Sequence, residues 1–294
     1  MSSVTGGCPL ALVILLLVSI DPTATEVVNS VSNCTEFFLN SIPPNIGGVL
    51  HDGKIQDQNR YKPICQTFNN SRRFMTLYDT DMKIPVFSAY KYTGDAGVKK
   101  PNNCWMIEPQ LEDIHSNVNM IVDKRPQNNQ ASDQDYNNSQ PYYDRGHLFP
   151  NCHAKNWEDK KSTFTLTNIV PQVKTFNGGS WARMERFIKC VMDKYCLDQN
   201  NKHEAFVVTG AIPSANNNLN NRVNIPKTLW TAFCCYNYRE NKWLACAHWG
   251  KNNKNQKNIK ENENKENNNT NTNKKRKEKT EETQREENPN GKKG

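Results

Sequence analysis

The chain contains ten cysteines but no C-x-x-C pair. Thiolate metal fingers are therefore without a signature, and dispersed cysteines in this number fit disulfides formed in an oxidising compartment. Long hydrophobic runs are also missing. The one apolar run of note, residues 10–20 (LALVILLLVSI), is too short to span a bilayer comfortably and is stopped by Asp21 and Pro22. It reads as the core of a secretory signal over residues 1–25, with Thr23 and Thr25 as small residues before a cleavage point at Glu26. The mature chain is expected to be secreted and extracellular, without stable membrane insertion. The last 44 residues lack aromatics and hold one large aliphatic residue, Ile259, so residues 251–294 are read as a disordered Asn/Lys/Glu-rich tail. A strong positive field is absent too. Of the net charge of +8, the tail supplies most, with 13 basic against 8 acidic residues, so any affinity for phosphate must come from a local patch.

Residues 26–250 remain for one folded domain. If Cys8 leaves with the signal, nine cysteines persist, so at least one is free or paired to another chain. Connectivity does not follow from spacing, although Cys34 and Cys65 can staple an N-terminal lobe. Sequons at Asn33, Asn69, Asn137 and Asn268 agree with a secreted glycoprotein. Residues 74–80 and 84–92 read as a hairpin, and residues 94–104 as a basic loop carrying Lys99 and Lys100. Residues 123–140 read as an exposed polar loop. Residues 164–172 read as a strand ended by Pro171, residues 206–212 as a short apolar strand, and residues 228–238 and 242–249 as two more joined by a tight turn. Residues 180–195 form a helix on the spacing of Trp181, Met184, Ile188, Val191, Met192 and Tyr195. The fold class implied is α+β with a mainly antiparallel sheet and flanking helices.

The chemistry concentrates in residues 142–151, YYDRGHLFPN. Asp144, Arg145, Gly146 and His147 place an acid, a guanidinium, a flexible residue and an imidazole among aromatic and apolar neighbours. Such groups are costly to bury unless used. A neutral His147 could take a proton from water near neutral pH, because an unperturbed imidazole titrates at about 6.5. Arg145 can offer a planar fork to phosphate. Asn177, just before the helix, and Glu185, two turns on, can present an amide oxygen and a carboxylate to a hard cation, or equally cap the helix and face solvent.

Together these segments resemble the DNA/RNA non-specific endonucleases of the ββα-metal class, in which DRGH is followed by a strand like residues 167–172 (TNIVPQ), an Asn, and eight residues later a helical Glu. Further matching stretches extend the resemblance over roughly residues 26–249. It implies His147 as general base, Arg145 at the scissile phosphate, Asn177 as direct ligand of one Mg²⁺ (or Mn²⁺), Glu185 holding the ion's water, and Asp144 as an internal hydrogen-bond acceptor. DNA and RNA would be gripped through the phosphate backbone, with little sequence preference. Two departures stand out. The upstream loop offers Lys99 and Lys100 where many relatives carry a second Arg, and Phe149 replaces a usual Asn. Two other readings compete: a secreted protein of the same fold that binds nucleic acid or another partner with weak or no catalysis, and a zinc site at His147, Cys152 and His153. The last is disfavoured for want of a second Cys/His pair at finger spacing.

Overall fold

The computed structural model describes residues 26–102, 104–137 and 142–253, so the expected signal and nearly all of the expected tail lie outside the described residues. Eight strands carry the architecture: β1 (Tyr61–Phe68), β2 (Ser71–Asp79), β3 (Ile84–Tyr92), β4 (Tyr143–His147), β5 (Ile169–Val173), β6 (Ala205–Ile212), β7 (Thr228–Asn237) and β8 (Lys242–Lys251). Six of them form one antiparallel sheet in the order β8-β7-β6-β3-β2-β1, and β4 pairs with β5 as a separate hairpin. The expected α+β class and antiparallel sheet are borne out. The helices are short, α1 (Asp133–Asn137) and α2 (Trp157–Ser162), except for α3 (Ala182–Tyr195).

Alternation places two apolar layers on the sheet. On one face the N-terminal lobe packs Val31, Phe37, Phe38 and Leu50 against Met75, Leu77, Phe87 and Ala89. A disulfide between Cys34 and Cys65 joins lobe to sheet, as the sequence allowed. On the other face α3 lays Ile188 and Met192 on Phe74, Tyr90, Val207 and Phe233, and a second disulfide, Cys196–Cys235, ties the helix end to β7. No helix among the described residues is long and apolar enough to cross a membrane.

Three sequence expectations need correction. β1 was not foreseen, because Lys62, Pro63 and Gln66 interrupt its apolar pattern; it pairs with one strand of the sheet only, and its outer edge meets residues 26–28, with Val28 N–H donating to the Pro63 carbonyl at 3.0 Å. Pro171 does not end a strand. It lies inside β5 opposite Arg145, while residues 166–168 form a tight helical turn before it. Finally, residues 123–137 are not a freely exposed loop: Gln127, Gln130, Ala131, Ser132, Asp135 and Tyr136 are buried. Arg222 holds them, pairing with Asp135 and donating to the carbonyls of Gln127 and Gln130.

Candidate functional site

The central motif is β4 itself, and it forms one continuous ββα unit with β5 and α3. After β5 the chain enters a helical stretch, Lys174–Phe176, widens into a π-helical turn over Asn177–Trp181, and continues as α3. Such widened turns are frequent at functional sites because they swing one residue out of the regular ladder. Here Asn177 begins the widened turn and Gly178 and Gly179 follow.

Within the hairpin, Gly146 is required by contact. A Cβ there would lie 1.9 Å from Gln172 Oε1 and 2.6 Å from Gln172 Cβ. Gln172 is fully buried, and neither amide atom has a hydrogen-bond partner among the described residues. Below the motif, Asn168 fixes the chain that follows His147. Its Oδ1 accepts from Phe149 N–H at 3.0 Å and from Ser88 Oγ at 2.8 Å, and its Nδ2 donates to the carbonyls of Phe149 and Thr163, both at 3.1 Å. Phe149 points into the core, stacked 4.0 Å from the Tyr90 ring and 5.2 Å from Phe74. An apolar side chain is therefore stable where the resemblance led one to expect Asn.

His147 sits between rings, 5.5 Å from Trp105 and 5.1 Å edge-on to Phe164, and its Nε2 is buried with no hydrogen-bond partner among the described residues. The sequence-based value near 6.5 does not hold: burial, aided by the nearby Lys100 charge, brings the imidazole down to about 3. It is neutral at every physiological pH. Lys100, itself exposed, reaches this site, its Nζ 5.2 Å from the Phe164 ring centroid, whereas Lys99 makes no such contact among the described residues.

Arg145, two residues earlier on the same side of β4, is already engaged. Its Nη2 donates to Asp133 Oδ1 at 2.7 Å and to Asn137 Oδ1 at 2.8 Å, and its guanidinium lies 5.4 Å from Trp105 and 5.3 Å from Tyr136. Trp105 thus touches both functional side chains of the motif. On the other side of β4, Asp144 Oδ2 accepts from Asn177 Nδ2 at 3.0 Å. That bond fixes which end of the amide faces Asp144 and leaves Asn177 Oδ1 without a donor among the described residues. A free amide oxygen is the donor type a hard cation such as Mg²⁺ takes, so the residue fits the ligand role.

Glu185 lies in the first turn of α3, where burial pushes its carboxyl up to about 8 against smaller opposing pulls from Arg186 and the Trp181 indole. Its backbone is pinned by His153. The Glu185 carbonyl can only accept, so His153 donates from Nε2 at 2.9 Å, and Nδ1 accepts from Tyr90 OH at 2.8 Å. Both ring nitrogens are used, and burial lowers this imidazole to about 4. His153 is therefore a neutral structural residue, which removes it from the zinc reading.

Among the described residues no hydrogen bond or ring contact joins His147 directly to Asn177 or Glu185. The register of β4 on β5 and the unbroken run into α3 hold them in one unit. Sequence reasoning missed Trp105, Phe164 and Asp133 as site residues, and gave no role to Asn168 and Gln172 within the TNIVPQ stretch. None belongs to the DRGH pattern, and only the pairing of distant segments brings them to it.

Comparison with known proteins places this geometry in context. A family model described as DNA/RNA non-specific endonuclease matches residues 56–284. The chain is 30% identical over 211 residues to the mouse Endonuclease domain-containing 1 protein and 28% identical over 210 residues to the human one, covering 69% of this chain in each case. It spans 38% of the length of both relatives. A protein named Nuclease from a Nostoc species is 32% identical over 90 residues, 30% of each chain.

Proposed function

The chain belongs to the DNA/RNA non-specific endonuclease family, and on that premise we propose that it is a secreted, divalent-metal-dependent enzyme hydrolysing phosphodiester bonds of DNA and RNA. The observation that carries the reading is the pair of uncommitted donors on one ββα unit: the bare Nε2 of neutral His147 and the Oδ1 of Asn177 that Asp144 turns outward. In the tautomer protonated at Nδ1, His147 accepts the proton of an attacking water at Nε2, which has no other hydrogen-bond partner among the described residues. Trp105 and Phe164 fix the ring plane and exclude bulk water. Arg145 and Lys100 supply positive charge beside the imidazole for a phosphate. Asn177, with Glu185 behind it, would hold Mg²⁺ or Mn²⁺, which supplies Lewis-acid stabilisation of the phosphate and its leaving oxygen. Glu185 is protonated near neutral pH until a cation lies close, so ion binding and its ionisation are coupled. The two disulfides and the exposed sequon residues Asn33, Asn69 and Asn137 support secretion.

One observation favours a second reading, a slow or non-cutting nucleic-acid-binding protein. Asp133 already neutralises Arg145, and the two aromatic rings crowd His147. The test is incubation of the purified chain with plasmid DNA and with RNA, in Mg²⁺ and in EDTA, beside His147→Ala. Metal-dependent cleavage that falls by about 10² to 10⁴ in the variant supports the enzyme. Retained binding without cleavage of either substrate decides for the second reading.

A further inference from the structure

The two edges of the six-stranded sheet differ. At the β1 edge the N-terminal segment is laid down as an extra strand: Val27 bridges Ile64, and Cys65 N–H donates to the Glu26 carbonyl at 2.8 Å. At the other edge β8 pairs, among the described residues, with β7 alone, over ten residues and in unbroken register, from Lys242 opposite Asn237 to Lys251 opposite Thr228. No residue of β8 is buried, and Trp243 and Trp249 are 56% and 72% exposed. Soluble proteins blunt such an edge with proline, a bulge or an internal charge, because its free N–H and C=O groups template another strand. β8 has none of these between its terminal lysines. Asn252 turns the chain away at once, its Oδ1 accepting from Val173 N–H at 2.8 Å.

The sequence of this edge is self-complementary. Residues 243–249 read W-L-A-C-A-H-W, a palindrome at Trp243, Ala245, Cys246, Ala247 and Trp249. We propose that β8 is a dimerisation edge, pairing antiparallel with β8 of a second copy of this chain about a two-fold axis at Cys246. In this register Ala245 lies opposite the partner's Ala247, and Trp243 opposite the partner's Trp249, each pair twice. Residues opposite one another share a face. Trp249 already pairs with Trp230, and Trp243 with Tyr236, within the sheet, so the two-fold axis joins these into aromatic rows four residues long. Cys246, exposed and unpaired among the described residues, meets its own counterpart on the axis. Opposed residues of an antiparallel pair lie about 4.5 to 5.5 Å apart at Cα, inside the range a disulfide spans. The bond forms when one Cys246 thiolate attacks a low-molecular-weight disulfide, releasing one small thiolate, and the second Cys246 thiolate attacks the Cys246 sulfur of the resulting mixed disulfide, releasing the other. Two thiol protons are lost, and the oxidant is reduced to two thiols. Among the described residues Cys104, Cys152, Cys190, Cys234 and Cys246 are unpaired, and of these only Cys246 lies on the β8 edge. His248 and Gly250 of β8 touch Trp181 and Phe176 of the ββα unit, but none of Arg145, His147, Asn177 and Glu185 lies on β8, so the proposal does not rest on nuclease activity.

The test uses the full mature chain, followed by light scattering and non-reducing electrophoresis with and without oxidised glutathione. The expected species has twice the monomer mass, is split by reductant, and yields a Cys246–Cys246 linked peptide by mass spectrometry. Cys246→Ser should abolish the covalent link and keep a concentration-dependent dimer. The double variant Ala245→Lys with Ala247→Lys, both at exposed positions, sets like charges opposite each other and should weaken that dimer about tenfold or more. Its circular dichroism should match the parent's. A chain that stays monomeric after oxidation, a link through another cysteine, a monomeric Cys246→Ser variant, or a dimer indifferent to the lysines would overturn the proposal.

Discussion

Asn177 donates its amide N–H to Asp144 Oδ2 at 3.0 Å, so the acid of the motif decides which atom of the amide is left for a cation. Asp144→Ala frees that amide to rotate. The Mg²⁺ concentration for half-maximal cleavage should rise about ten- to a hundredfold, as for other residues that orient a ligand from behind, with little change in melting temperature. An unchanged metal requirement would show that the amide is held by something else.

His147 is neutral far below neutrality, because burial and Lys100 lower it to about 3. Cleavage should therefore lack an acid limb near 6.5, the unperturbed imidazole value. A pH–rate profile over the range 5 to 8 checks this. A limb centred near 6.5 that disappears in His147→Ala would refute the neutral-imidazole account.

Gly146 has Gln172 directly over its missing side chain. Gly146→Ala should destabilise the protein by about 1 to 3 kcal/mol through overpacking, measured by denaturant unfolding. Combining it with Gln172→Ala should recover part of the loss. Additive losses in the double variant would mean that backbone conformation, and not this contact, selects glycine.

Glu26 and Glu108 form a fully buried pair close enough to share a proton, with Oε2 of each lacking any other hydrogen-bond partner among the described residues. Burial and, for Glu26, the neighbouring carboxylate raise both. The folded state thus holds a proton that the unfolded chain releases above about 4.5, and stability from this pair is lost as pH rises from there toward the raised values. Glu26→Gln, which keeps a donor toward Glu108, should gain on the parent by up to about 1.4 kcal/mol per pH unit over that window. A stability difference independent of pH would exclude the shared proton.

Much of this is legible in the sequence. The hairpin of β2 and β3, strands β6 to β8 and helix α3 have short-range patterns, and the Cys34–Cys65 staple closes the segment those patterns left empty. Asp144 was read as an internal acceptor, and its bond to Asn177 makes it one. What stayed hidden depends on long-range partners. Polar residues 123–137 looked like solvated loop because the Arg222 that buries them lies about ninety positions away. The ordinary basicity first assigned to His147 failed for the same reason, since Trp105 and Phe164, which desolvate it, come from separate segments.

The bonds of Asn168 have a kinetic corollary. One side chain ties Phe149, two residues past His147, to Ser88 at the middle of the sheet. Opening the motif strand would strand four buried polar groups at once, so it has no cheap local fluctuation and must come apart with the body of the sheet. The Phe149 amide proton should accordingly exchange with solvent only as slowly as the whole domain unfolds.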